Sequence, residues 1–134
     1  MLGPMDAARA IADLTEISPQ VRDVVVIGAD GAVVATNADD GRADALADGA
    51  RRLLQAADEV RSAHGGGSVS QVEAATNAGS VFAVRDGERV IAATTSPDPT
   101  VGLVFYDLKT CLRSVDEPKA KPKRRPRKDD DAAA

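Results

Sequence analysis

The sequence predicts an α+β sandwich with elements in the order α-β-β-α-β-β-β-α, and three observations carry that prediction. Val24–Ile27 is continuously apolar, as in a strand covered on both faces, and a second β-branched run, Val33–Thr36, follows it. The stretch from Arg42 to His64 has an apolar stripe at helical spacing. Three further strand-like runs, joined by tight-turn residues, lead through Ser96-Pro-Asp-Pro99 into a last amphipathic helix.

In chain order, Ala7, Ala10, Ile11, Leu14 and Ile17 give a first helix over 5–17, with Asp6 able to help at its start and Pro19 closing it. Two strands, about 21–28 and 32–37, flank Asp30-Gly31, a turn pair in which glycine takes φ > 0 without strain. Asp39 or Asp40 is placed to cap the long helix. Its stripe comprises Ala43, Leu46, Ala47, Ala50, Leu53, Leu54, Ala57 and Val60, and Gly65-Gly-Gly67 supplies the left-handed residue that ends it. Strands at 68–76, 81–85 and 89–95, with turns at Asn77-Ala-Gly79 and Asp86-Gly87, form an antiparallel meander. The first of the three is the most polar, which suits a sheet edge. Asp98 as cap and Pro99 at the first helical position open the last helix, whose stripe runs from Val101 through Val104, Phe105, Leu108, Cys111 and Leu112 to Val115.

At 134 residues the chain reads as one domain, 1–116, and a tail, 117–134. With two Phe, one Tyr and no Trp, the core must be aliphatic. The formal charge of −4 conceals a split: residues 1–116 carry 10 Lys/Arg against 17 Asp/Glu, and 117–134 carry 7 against 4. In the tail, Pro118, Pro122 and Pro126 recur among Lys119, Lys121, Lys123, Arg124, Arg125, Arg127 and Lys128, which reads as a disordered basic arm. Those cations suit an anionic partner: nucleic acid, lipid or an acidic protein surface. With about seven phosphate contacts, DNA binding would show a log–log salt slope of about −6. A solubilising role explains the same residues, and no aromatic is interleaved to stack bases. A single cysteine, no signal peptide and no run near the roughly 18 apolar residues of a membrane span lead to the expectation of a cytoplasmic protein.

Catalytic chemistry finds little footing. His64 is the only histidine and sits at a helix end, where it can bond the last carbonyls. Cys111 lies on the apolar stripe of the last helix and reads as core. There is no phosphate-binding loop, and neither Asp39-Asp40 nor Asp129-Asp-Asp131 has converging partners for a metal. The reading is therefore non-enzymatic, with no cofactor. The long helix holds one further feature. Ala45, Gly49, Ala56 and Ala63 form a narrow stripe of small residues beside the core stripe, interrupted by Arg52 and Glu59. An interior helical Gly costs about 0.5–1 kcal/mol relative to Ala, and close approach of a second helix would repay it. An Ala-rich composition with one tolerated Gly explains it equally well. If the stripe is an interface, the helix packs against its own copy, with the polar edge strand as companion.

Three segments resemble the Roadblock/dynein light-chain superfamily in its bacterial branch: Val24-Val-Val-Ile-Gly-Ala-Asp-Gly-Ala-Val-Val-Ala35, Val81-Phe-Ala-Val-Arg-Asp-Gly87 and Asp98-Pro-Thr-Val-Gly-Leu-Val-Phe-Tyr-Asp-Leu108. Their order and spacing across 5–115 carry the resemblance. It implies a profilin-like sandwich with a five-stranded antiparallel sheet flanked by helices, and homodimerisation through the long helix and the strand after it. The interface candidates are then Ala45, Gly49, Ala56, Val69, Gln71 and Glu73. It also implies a non-enzymatic regulator or scaffold of a Ras-like small GTPase, since some bacterial members are the GTPase-activating partner of a gliding-motility GTPase and others are encoded beside a sensor kinase and a small GTPase. Arg42, Arg51, Arg52 and Arg61 are the cations of the long helix that such a partner would meet, although a solvated helix face accounts for each singly. Two other classes stay open: a small-molecule sensor holding a ligand between sheet and helix, and a nucleic-acid-associated protein acting through the arm.

Overall fold

The computed structural model describes residues 6–115. The elements are α1 (Ala7–Ile17), β1 (Val21–Ile27), β2 (Val33–Thr36), α2 (Asp40–Ala63), β3 (Gln71–Thr76), β4 (Gly79–Asp86), β5 (Arg89–Thr95) and α3 (Val101–Ser114). The expected basic arm, Lys119 to Lys128, lies outside the described residues, as does the boundary at 116/117.

One antiparallel sheet runs through the middle in the order β2-β1-β5-β4-β3. α1 and α3 cover one face and α2 the other. The apolar run of β1 shows why both faces need cover: Val24 and Val26 join the core beneath α1 and α3, whereas Val25 and Ile27 join the core beneath α2. All four are at most 2% exposed. β4 alternates in the same way, with Phe82 and Val84 on the α1–α3 side and Ala83 on the α2 side. The two phenylalanines, Phe82 and Phe105, meet edge to face with ring centroids 4.9 Å apart, joining β4 to α3.

The local chemistry of the termini follows the sequence at most ends. Asp6 and Asp39 cap α1 and α2, accepting from the amides of Arg9 and Arg42. Gly65 (φ +80°) closes α2 in a Schellman motif: the Gly66 amide donates to the Arg61 carbonyl at 2.6 Å and the Gly65 amide to that of Ser62 at 3.2 Å. His64 Nδ1 lies 2.9 Å from the Val60 carbonyl oxygen, the end-of-helix bond its position suggested.

Three ends differ. α3 begins at Val101 with Thr100 at its cap, not at Asp98-Pro99, because Asp98 takes φ +54° and turns the chain before the helix starts. Thr100 makes no side-chain cap; its amide instead donates to Gln20 Oε1 at 2.6 Å. β3 begins at Gln71 rather than at 68, since side chains of α2 and β4 engage Val69 first. β4 begins two residues early, at Gly79, because Thr76 pairs with Gly79 across the two-residue turn Asn77-Ala78. A Cβ at Gly79 would lie 2.1 Å from the Thr95 carbonyl oxygen, at φ +143°, so only glycine fits.

Candidate interaction surface

α2 buries Ala43, Leu46, Ala47, Ala50 and Leu54 against the sheet. Two residues assigned to that stripe from the sequence belong elsewhere: Leu53 is half-buried and Val60 is 59% exposed. Both align with the small residues. Ala45, Gly49, Leu53, Ala56 and Val60 follow one another at steps of four, four, three and four, which places them on a single side of the helix. Ala45, Ala56 and Val60 are exposed and Gly49 is partly exposed, with open space where a Cβ would stand. The continuation of the small-residue stripe is thus apolar, through Leu53 and Val60, where the sequence reading had it interrupted by Arg52 and Glu59. The 3.6-residue period puts both residues on the margin of the core stripe, and the extent of the sheet beneath α2 decides that they fall outside it.

Beside this side of α2 the sheet opens a groove of about 410 Å³, lined by Ala45, Gly49 and Leu53 with Val81 and Thr94 across from them. Arg42 and Asp23 also line it, joined by a 3.0 Å ion pair from Arg42 Nε. The hydrogen bond and charge of Asp23, with a further contribution from Asp39, raise the Arg42 pKa above its ordinary value.

β3 forms one edge of the sheet, pairing with β4 alone. Its candidate residues do not all face α2. Register with β4 puts Gln71 opposite Val84 and Glu73 opposite Phe82, on the α1–α3 side, whereas Val69 and Val72 pack toward the α2 core. Glu73 accepts from Ser80 Oγ at 3.0 Å, and Gln71 Oε1 is buried with no donor among the described residues. Gln71 and Glu73 therefore offer an approaching strand their backbone edge and not their side chains.

The connection between α2 and β3 is fixed by an ion pair the sequence reading did not single out. Arg85 on β4 meets Asp58 on α2 at 3.0 Å, and both hold Val69: the Asp58 carboxylate accepts from its amide at 2.7 Å and Arg85 Nη1 donates to its carbonyl at 2.9 Å. These bonds hold the Asp58 carboxyl below its ordinary pKa, with the Arg85 hydrogen bond first among the causes. Helix face and strand edge are so locked in one orientation.

The four candidate arginines do not converge. Arg42 is engaged with Asp23 and Asp39, Arg51 donates to the Gly31 carbonyl at 2.8 Å and ties α2 to the β1–β2 turn, and Arg52 pairs with Asp48 at 3.0 Å. Arg61 lies over Gly66 at the other end of the helix. Nineteen positions along an α-helix span about 28 Å, so Arg42 and Arg61 cannot meet one small ligand.

Cys111 is buried, its Sγ donating to the Ala10 carbonyl at 3.5 Å; burial first, and the Asp13 charge second, push its thiol up to about 11. It stays protonated at neutral pH and is no nucleophile. Among the described residues no group of three or more His, Cys, Asp and Glu could hold a metal ion, and no helix is long and apolar enough to cross a membrane.

The model of the Roadblock/LC7 domain family matches residues 9–96. Among solved structures, the chain is similar to a Roadblock/LC7 domain from Streptomyces avermitilis, at 20% identity and a TM-score of 0.74 over 82% of this chain and 94% of that one. It is also similar to Myxococcus xanthus MglB, at 14% identity and a TM-score of 0.68 over 81% and 89%. LokiProfilin1, solved in complex with rabbit actin, gives 15% identity and a TM-score of 0.58 over 83% and 96%, so the sandwich is profilin-like. Comparison with curated proteins gives no match. The family model spans well over half of the chain, and the chain belongs to the Roadblock/LC7 family.

Proposed function

We propose that this protein is a non-enzymatic, homodimeric regulator of a Ras-like small GTPase, acting as its GTPase-activating or scaffolding partner in bacterial signalling or motility. One observation carries the reading. α2 presents an apolar side, Ala45 to Val60, that no other described element covers, and the Asp58–Arg85 pair holds the open edge of β3 alongside it. A two-fold axis through such a surface lets α2 meet α2 and edge meet edge, which makes an isologous interface. Membership of the Roadblock/LC7 family supports the regulator role, and the likeness to M. xanthus MglB points to its bacterial branch. The dimer contacts are then Ala45, Gly49, Ala56 and Val69 by side chain, and Gln71 and Glu73 by backbone. Arg42, Arg51, Arg52 and Arg61, spread around α2, are single contacts to the GTPase rather than one arginine-rich site.

The test is affinity capture on the immobilised full chain from native cytoplasm, with lysate supplied with GDP or a non-hydrolysable GTP analogue. Retention of a Ras-like GTPase that depends on the nucleotide is expected. Recovery of no GTPase in either state, with nucleic acid retained instead, would overturn the reading and direct attention to the basic arm.

A further inference from the structure

On the face opposite α2, a second groove of about 310 Å³ runs between α1 and α3. Its floor is apolar, formed by Ala10, Leu14 and Cys111, and three carboxylates stand at its sides, Asp13 and Glu16 beside Ile17 on α1 and Asp107 beside Thr110 and Ser114 on α3. None of the three carboxylates makes a hydrogen bond or ion pair among the described residues. Asp107 is the telling one. It is 8% exposed, on a helix side that otherwise buries Val104, Leu108 and Cys111, and its small remaining exposure opens on the groove. Its carboxylate oxygens are reached through the groove, and in that partly desolvated setting an ammonium or guanidinium makes a strong charge-assisted bond.

We propose that this groove is the docking site of the chain's own basic segment, Lys119–Lys128. Three features select this occupant. The groove's charge repels phosphates and attracts the segment's seven Lys/Arg. The reach is sufficient: Lys119 follows the last described residue by four positions, and the thirteen steps from Val115 to Lys128 span up to about 43 Å. The groove, from Ser114 back to Asp107, needs only about 10 Å of that along α3. Finally, Pro122 and Pro126 restrict φ inside the segment, so docking gives up less conformational freedom than a Gly/Ser arm would. Docked in this way, the cations are withheld from outside anions, and salt or a strong polyanion releases them. The site lies on the far side of the sheet from α2 and does not depend on the GTPase reading.

The experiment compares amide NMR spectra of the full chain with those of a variant bearing Lys121→Ser, Lys123→Ser, Arg124→Ser and Arg125→Ser. Shift differences are expected at 10–17 and 107–114, unchanged by protein concentration and lost at about 0.5 M NaCl, where the Debye length is about 4 Å. Asp107→Asn in the otherwise unaltered chain should produce the same differences. Should that variant not fold, Glu16→Gln, at an exposed position, should produce them in part. Identical spectra, or differences confined to other elements, overturn the proposal. Differences that grow with protein concentration also overturn it, assigning the groove to the arm of a second copy.

Discussion

Replacing Gly49 by Ala separates an interface glycine from a merely tolerated one. A Cβ at Gly49 meets nothing within 4 Å in the single chain, so alanine is free of strain there and gains what glycine forfeits in a helix, about 0.5–1 kcal/mol. For a domain of this size, that raises the melting temperature of the isolated chain by about 2–4 °C. In a dimer built by close approach of two α2 helices, the same methyl enters the contact twice. Overpacking of about 1–3 kcal/mol weakens association by about 5-fold to about 150-fold. The two effects have opposite signs and are measured apart: thermal unfolding at a dilution where the chain is monomeric, and sedimentation equilibrium across the dimer transition. A variant that melts higher and dimerises as tightly as the parent, or more tightly, would refute close approach at Gly49.

Gly79→Ala places a methyl against the Thr95 carbonyl at positive φ, and should cost about 2 kcal/mol or more, read from the urea midpoint. Asp58→Asn removes the carboxylate shared by Arg85 and Val69, so hydrogen exchange at the Val69 amide should accelerate while that of the β1 amides changes little. The Asp58 carboxyl titrates lower folded than unfolded, so its contribution is present above the unfolded carboxylate pKa and is lost as pH falls through the lower folded value; D58N should flatten the acid limb of the stability profile. For Cys111 the sign reverses. Its thiol is held up at about 11, so stability contributed by the protonated form is lost as pH rises from about 9 toward 11, and alkylation of the native chain at neutral pH should lag far behind that of the unfolded chain.

Most of the fold was legible because its local rules agree with one another. Val24–Ile27 reads as a doubly covered strand and is one, and Asp39 and Gly65 mark the ends of α2 by capping chemistry that depends on adjacent residues alone. The start of α3 was not legible, because the chain makes a left-handed turn at Asp98 and the amide of the cap residue, Thr100, is held by Gln20, eighty positions away. The exposed apolar side of α2 was half legible. Periodicity gave Ala45, Gly49 and Ala56, but Leu53 and Val60 lie where core and flank stripes adjoin, and only the extent of the sheet beneath α2 decides which side they join. The facing of Gln71 and Glu73 follows from register with β4, which no single strand's pattern contains. Asp58–Arg85 and the Asp107 groove join elements far apart in the chain and leave no periodic trace.

The central claim is that two copies joined along α2 form the surface a small GTPase reads. Val60→Glu tests it most directly, because Val60 is exposed in the single chain and the substitution puts a charge on the apolar side of α2 that the dimer would bury. Binding of the captured GTPase to the full-length parent and to this variant should be compared, with sedimentation of both recorded in the same buffer. The expected result is a dimeric parent that binds and a folded, monomeric variant whose binding is lost or greatly weakened. A monomeric variant that binds as well as the parent, or a parent that is itself monomeric, would contradict it.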